Sequence, residues 1–275
     1  EIYTLSLHDA LPIWSAAIIQ QRGGPSSGTV IYSQQEVTLT TFGGNGEGFR
    51  IVYSTAGHQE IFDYVIKGFN TAWKYRFPVF VLGDGYQAKM REPFEMYSPE
   101  DRGIEMIKPY PLIGAGGKIG IDREPSHLNN IYSLEEELYE KILEHSAAFA
   151  AIAPEIIEFE EKNCEDADII ITTHGVVSRA ADDAVKALRA QGIKAGYFRP
   201  ITLRPFPSAA LRQAIARNNP KKMLIAESAY GQLERLVKQE IFGETIEIET
   251  LFMPAVGIID QDIIKKVKSV LQEEV

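Results

Sequence analysis

Apolar positions along the chain switch between two periods, and the switches mark alternating strands and helices. Residues 16–20, 79–82, 168–172, 195–198, 223–226 and 246–251 are short, largely apolar runs of strand length. The run 168–172 lacks polar alternation, which predicts a strand buried on both faces. Between residues 58 and 75, Ile61, Phe62, Val65, Ile66, Phe69, Ala72 and Trp73 recur at three- and four-residue spacing and predict a helix that buries that face. A helix is also expected over 133–149, where Ser133 precedes Glu136 by three positions as in a capping box. Others are expected over 178–191, stopped by Gly192, then after Pro207, from Gln232 and at the C-terminus. The pair Asp84-Gly85 closes the strand before it with a turn. Residues 86–132 mix Pro, Gly and charge without a period and predict a long interdomain loop. Such alternation gives the α/β class, with a mostly parallel sheet covered on its faces.

The pattern divides the chain into residues 14–110, a connecting loop and helix over 111–160, and a compact three-layer unit over 161–275. Residues 1–13 stand apart. They resemble the in-frame translation of a sequencing adapter fused to a fragmentary gene, so they are expected to be artefactual, and His8 and Asp9 take no catalytic role.

Composition narrows the function. A formal net charge of -10 and a pI near 5.1 argue against nucleic-acid or anionic-membrane surfaces, which need clustered Lys and Arg. Small molecules and protein partners remain. A single cysteine, Cys164, leaves no disulfide framework and no cysteine-ligated cluster built from this chain alone. With no apolar run near the length of a membrane span and no leader pattern, the cytoplasm is the expected compartment.

Several glycine clusters fail the spacing that phosphate loops require. In the run from Gly114 to Ile119, isoleucine stands where Ser or Thr must reach magnesium, and the run from Gly43 to Gly48 does not fit the dinucleotide pattern. Gly83-Asp84-Gly85 is similar to the aspartate motif that holds magnesium and diphosphate in thiamine enzymes. That motif needs an Asn nearby, and the first one here is Asn129. Asp84 therefore reads as a turn residue. His174-Gly175 could present a helix N-terminus to an anion or simply turn the chain. Arg199, Arg204 and Glu227 read as solvated or locally paired charges, with an interface role as the alternative. His58, His127 and His145 have no metal-ligand spacing, so no metal site is expected.

The segment from Gln20 to Gly28 is more informative. Arg22 leaves a strand and is followed by Gly23, Gly24, Pro25, Ser26 and Ser27, so a ligand can approach the backbone while a planar guanidinium pairs with a carboxylate. Taken alone, an arginine that fastens its loop by ion pairing is the simpler reading.

Three motifs in each half, in order, change that. Gln21 through Gly28, Gly43 through Glu47 and Pro78 through Asp84, followed by Thr173 through Ala180, Phe198 through Pro207 and Glu227 through Leu233, resemble the alpha subunits of 2-oxoacid:ferredoxin oxidoreductases. The resemblance runs from about Trp14 to the C-terminus. It implies a truncated pyrimidine-binding-like domain followed by a transketolase C-terminal-like α/β/α domain. It implies thiamine diphosphate with Mg2+, shared with or held by a beta subunit that also carries an iron-sulfur cluster. Gamma and delta subunits, ferredoxin and coenzyme A would join at the level of the complex. The implied chemistry is oxidative decarboxylation of a 2-oxoacid to acyl-CoA with single-electron transfer to ferredoxin. Arg22 would hold the substrate carboxylate, with Gly23, Gly24, Ser26 and Ser27 around it. The glutamate expected to activate the cofactor's pyrimidine would precede Trp14, so the catalytic residue is unknown here and the chain is expected to be inactive alone, with an exposed apolar sheet edge. The 2-oxoacid stays open. A thiamine-dependent dehydrogenase or transketolase-type subunit without ferredoxin is the alternative, separable by whether the partner binds an iron-sulfur cluster; a non-catalytic fragment is the other.

Overall fold

A computed structural model describes residues 15–25, 31–44, 46–107 and 132–272. Two sheets organise them. Among the described residues the first has the order β1-β3-β2-β7, built from β1 (Ala16–Gln20), β2 (Ile51–Ser54), β3 (Val79–Gly83) and β7 (Thr202–Arg204). The first three are parallel, and β7 joins antiparallel at Val52–Arg204 and Tyr53–Thr202. The second has the order β4-β6-β5-β8-β9, from β4 (Phe159–Lys162), β5 (Ile169–Thr172), β6 (Ala195–Pro200), β8 (Lys222–Glu227) and β9 (Glu247–Phe252). Only β4 in it runs antiparallel. The helices are α1 (Val37–Phe42), α2 (His58–Tyr75), α3 (Glu135–Ile156), α4 (Val177–Ala190), α5 (Ser208–Asn218), α6 (Gln232–Glu240) and α7 (Asp260–Gln272).

The period of two along β5 explains the layering. Ile169 and Ile171 face α4 and α7 with Val177, Ala181, Val185 and Val267, while Ile170 faces the opposite side with Leu211, Ile215, Leu233 and Val237. That second cluster also contains Val52, Phe80 and Leu82 of the first sheet. The core is therefore continuous across both halves, and burying each such side chain stabilises the fold by roughly 1.5–3 kcal/mol. The outer face of the first sheet is covered by α2 and the C-terminal part of α3, through Ile51, Tyr53, Ala72, Phe77, Val79, Phe149 and Ile156.

Several expectations need correction. The apolar stripe of α2 is only in part its buried face: Ala72 is buried together with Gly68 and Thr71, the other stripe residues are half-buried, and Phe69 is 43% exposed. Small residues let the helix approach the sheet, and a Cβ at Gly68 would lie 3.3 Å from Val79 and 3.6 Å from Ala16. Phe62 is covered instead by the rings of Phe94 and Tyr97. The capping box at Ser133 does not form, since the N-cap of α3 is Leu134 with no side-chain bond, and the helix continues past Pro154 to Ile156. The elements α1, β2, β4 and β7 are additions to the sequence pattern. Among the described residues β1 is the outer strand of its sheet, and its Ile18 is 52% exposed.

Candidate functional site

The residues that follow the strand ends of the two sheets meet, and what they bring is polar. Directly after β1, Gln21 extends the ladder by donating its N–H to Gly83 O at 2.8 Å, and its side chain is buried. Its Nε2 donates to Asp84 Oδ1 at 3.1 Å, while its Oε1 accepts Glu36 N–H at 3.1 Å. Asp84 Oδ2 accepts Val176 N–H at 2.7 Å and Gln34 Nε2 at 3.2 Å. Gln34 donates to His174 O at 2.7 Å and accepts Ser228 N–H at 2.9 Å. One buried carboxylate thus ties β1 and β3 to the turn ahead of α4.

That turn fits only glycine at position 175. Gly175 has φ +57, and a Cβ there would lie 2.6 Å from Asp84 Oδ1 and 2.8 Å from Gln34 Nε2. The anion at the start of α4 is thus the protein's own Asp84. Asp84 is not merely a turn residue, and His174-Gly175 serve a structural turn. His174 is fully buried, with Nδ1 2.9 Å from Ser54 Oγ and no partner at Nε2 among the described residues.

Burial acts oppositely on these two groups. It lowers His174 to about 3, with nearby Arg199 adding to the effect. It raises Asp84 to about 7 against the opposing pull of Val176 N–H, Gln34, Arg199 and Gln21. The neutral His174 contributes stability that is present above its ordinary value of 6.5 and is lost as pH falls toward about 3. The charged Asp84 costs stability fully above about 7, and that cost is relieved as pH falls toward 3.8. The two slopes oppose each other at about 1.4 kcal/mol per pH unit. Urea denaturation of His174→Asn should therefore show a relative gain of about 2 kcal/mol between about pH 7.5 and about pH 5 over the unsubstituted chain. A parallel pH profile for the two proteins would contradict the assignment.

The remaining charges are neither solvated nor paired only within their own element. Arg199 on β6 is buried and donates to both oxygens of Glu60 on α2, at 3.0 and 2.5 Å, and to Ser54 O at 3.2 Å. Glu160 approaches it at 3.5 Å. Arg204 donates to Thr41 O and lies over the rings of Phe42, Phe49 and Phe149. Glu227 is fully buried and accepts the N–H groups of Gln232, Leu233 and Glu234 at 2.9, 3.0 and 3.1 Å, so it occupies the N-terminus of α6.

Arg22 stands differently. It is exposed, directly after the buried Gln21, and its positive charge partly offsets the burial that raises the Glu36 carboxyl. Gly23 is buried. Gly24 donates its N–H to Gln35 Oε1 at 2.6 Å, and a Cβ built there would meet nothing within 4 Å among the described residues. The turn is anchored on both sides of Arg22. Ser26 and Ser27 lie outside the described residues, as do Trp14, Gly114 through Ile119, and His127. Gly43 closes α1, its N–H reaching Leu39 O, and its carbonyl accepts Arg50 at 2.5 Å, which gives the second glycine motif a structural use.

Two cavities flank the junction. One of about 380 Å³ is lined by Glu60, Glu92, Lys162, Arg179, Asp182 and Arg199, where each cation already has a carboxylate partner. The other, about 310 Å³, is lined by Tyr32, Tyr86, Val176, Val256 and Ile258 around Asp84. Arg22 lines neither. Among the described residues no group of three His, Cys, Asp or Glu stands together as a cation site, and Asp84 is committed to its three donors. These residues do not fit a magnesium-diphosphate group. Cys164 is buried, donates to Tyr197 O at 3.3 Å, and burial pushes its thiol up to about 12. Sequence reasoning missed Gln21, Gln34, Ser54 and Glu60; the available signal was an amide pair at the end of an apolar strand, which a buried position must satisfy.

Comparison with known proteins gives two family matches. Residues 9–153 match the pyruvate flavodoxin/ferredoxin oxidoreductase thiamine diphosphate-binding family, and residues 167–266 match the pyruvate:ferredoxin oxidoreductase core domain II. The chain is 30% identical over 265 residues to the 2-oxoglutarate synthase subunit KorA of Methanothermobacter thermautotrophicus, covering 86% of this chain and 67% of that one. It is 30% identical over 254 residues to the ketoisovalerate oxidoreductase subunit VorB of Methanothermobacter marburgensis, covering 92% and 69%. A solved 2-oxoglutarate:ferredoxin oxidoreductase from Magnetococcus marinus, with 2-oxoglutarate, coenzyme A and succinyl-CoA bound, superposes with a TM-score of 0.75 at 24% identity. That match covers 92% of this chain and 48% of the other, so the chain spans about half the length of the solved relative.

Proposed function

The chain belongs to the alpha-type subunits of the 2-oxoacid:ferredoxin oxidoreductases, and from that premise we propose that its part in the reaction is to hold the substrate's carboxylate with Arg22. The parent enzyme would oxidatively decarboxylate a 2-oxoacid to acyl-CoA, release carbon dioxide and pass electrons singly to ferredoxin. One observation carries the reading: Arg22 is exposed on a turn anchored at both sides, beside space at Gly24 that no described residue fills. Its planar fork matches a carboxylate bidentately. Arg22 lines neither of the two cavities that flank the junction, and a beta subunit would supply the opposite wall of the site.

Thiamine diphosphate supplies the carbanion chemistry when bound. The commitment of Asp84 within this chain supports placing the diphosphate and its Mg2+ with a beta subunit, and the buried thiol of Cys164 supports placing an iron-sulfur cluster there too. A 2-oxoglutarate synthase subunit and a ketoisovalerate oxidoreductase subunit match this chain at the same identity, so the reading extends to the 2-oxoacid class and not to one member of it.

The test is steady-state kinetics of the assembled complex. Arg22→Ala should raise KM for the 2-oxoacid on the order of 100-fold, the loss of about 2.7 kcal/mol of charge-assisted hydrogen bonding. Arg22→Lys should recover part of it, since an ammonium keeps the charge but not the fork. Unchanged KM in Arg22→Ala would remove this residue from the site.

A further inference from the structure

Arg22 is exposed, and the backbone that carries it is held by three side chains with no claim on the substrate. On the β1 side, Gln21 is gripped at both ends of its amide, by Asp84 Oδ1 and by Glu36 N–H. On the other side, Gln35 Oε1 accepts Gly24 N–H at 2.6 Å. Both grips end in the second α/β unit. Asp84 binds Val176 N–H at the start of α4, and Gln35 O accepts Gln232 Nε2 at 2.8 Å at the start of α6. The same segment is fastened between them by Gln34, which exchanges backbone and side-chain bonds with Ser228 and reaches His174 O.

From this geometry we infer that Gln21, Asp84 and Gln35 are positioning residues for Arg22, through which the second α/β unit fixes where the substrate carboxylate is held. The inference rests on the proposed role of Arg22. Its physical basis is that a binding group works only when its supporting shell holds it to within a fraction of an ångström, and a small displacement removes much of the bidentate pairing. Asp84 suits this task because it can only accept while ionised. Its two oxygens take three N–H donors from three different segments, which orients all three at once. Gln21 suits it because donor and acceptor sit on one rigid amide.

The measurement uses the assembled complex with Gln35→Ala and Gln21→Met, each alone and combined with Arg22→Ala. Gln35 is half-buried, so its variant releases one side of the turn with little consequence for folding. Gln21→Met keeps the volume and removes the hydrogen bonds. Each single variant is expected to raise KM for the 2-oxoacid roughly 3- to 10-fold with kcat within about 2-fold, the pattern of lost ground-state binding. In the Arg22→Ala background neither should add to KM, because a residue that acts through Arg22 has nothing left to position. If Arg22→Ala raises KM but the glutamine variants do not, or if they raise it equally in both backgrounds, the positioning role is overturned while the role of Arg22 stands. If Arg22→Ala itself leaves KM unchanged, both fall. Should Gln21→Met fail to fold, Gln35→Ala decides alone.

Discussion

Replacing Arg199 with Met is expected to destabilise the chain by about 2–3 kcal/mol, because a buried guanidinium and its charge-assisted hydrogen bonds are lost while half-buried Glu60 keeps its charge. The guanidinium joins β6 to α2 through both oxygens of Glu60 and to β2 through Ser54 O. Its side chain is 3% exposed, whereas that of Glu60 is 31% exposed. Glu60 also accepts Ala56 N–H at 2.7 Å, so it cannot turn away to water without releasing the segment that leads into α2. The matching experiment is a double-mutant cycle by urea denaturation. Arg199→Met with Glu60→Leu should be less destabilised than Arg199→Met alone, since no carboxylate is then left facing an apolar wall. Strictly additive losses would show that the pair is not coupled.

Glu227→Ala is the second large effect, expected to cost about 3 kcal/mol. Its carboxylate accepts three consecutive N–H groups at the start of α6, and each is a charge-assisted bond at the positive end of a helix. Gly231, the N-cap residue, offers no side chain to replace it. Truncation leaves those donors without an acceptor beside the buried Leu233 and opens a cavity at the end of β8. Glu227→Gln should lose less, because one carbonyl oxygen remains. Circular dichroism and urea titration of both variants check the order; equal losses would mean that the carboxylate's charge, which both variants remove, and not the remaining carbonyl or the volume, sets the effect.

What the sequence made legible was whatever its local pattern determines. The strand over 169–172 and the helices that begin near 177, 208 and 232 sit within a residue or two of the expected positions, because period and turn residues are local signals. The strand Thr202–Arg204 was illegible for the opposite reason: it is three residues long and exists only by pairing with Val52 and Tyr53 in the other half of the chain. The stripe on α2 misled because close helix-sheet approach selects small residues, which leaves Phe69 outside. Arg22 could be singled out from its glycines, yet Asp84 looked like half of an Asp-Gly turn. Its true partners, Val176 and Gln34, are distant in sequence and carry no mark of the contact. Arg199 and Glu227 likewise became informative only once burial was known.

The decisive measurement is the structure of the assembled complex with its 2-oxoacid bound and no turnover possible. Two parallel hydrogen bonds of about 2.7–2.9 Å are expected from the Arg22 guanidinium to the substrate carboxylate. Substrate held by another cation, with Arg22 turned to Glu36 or to bulk water, would contradict the role of Arg22.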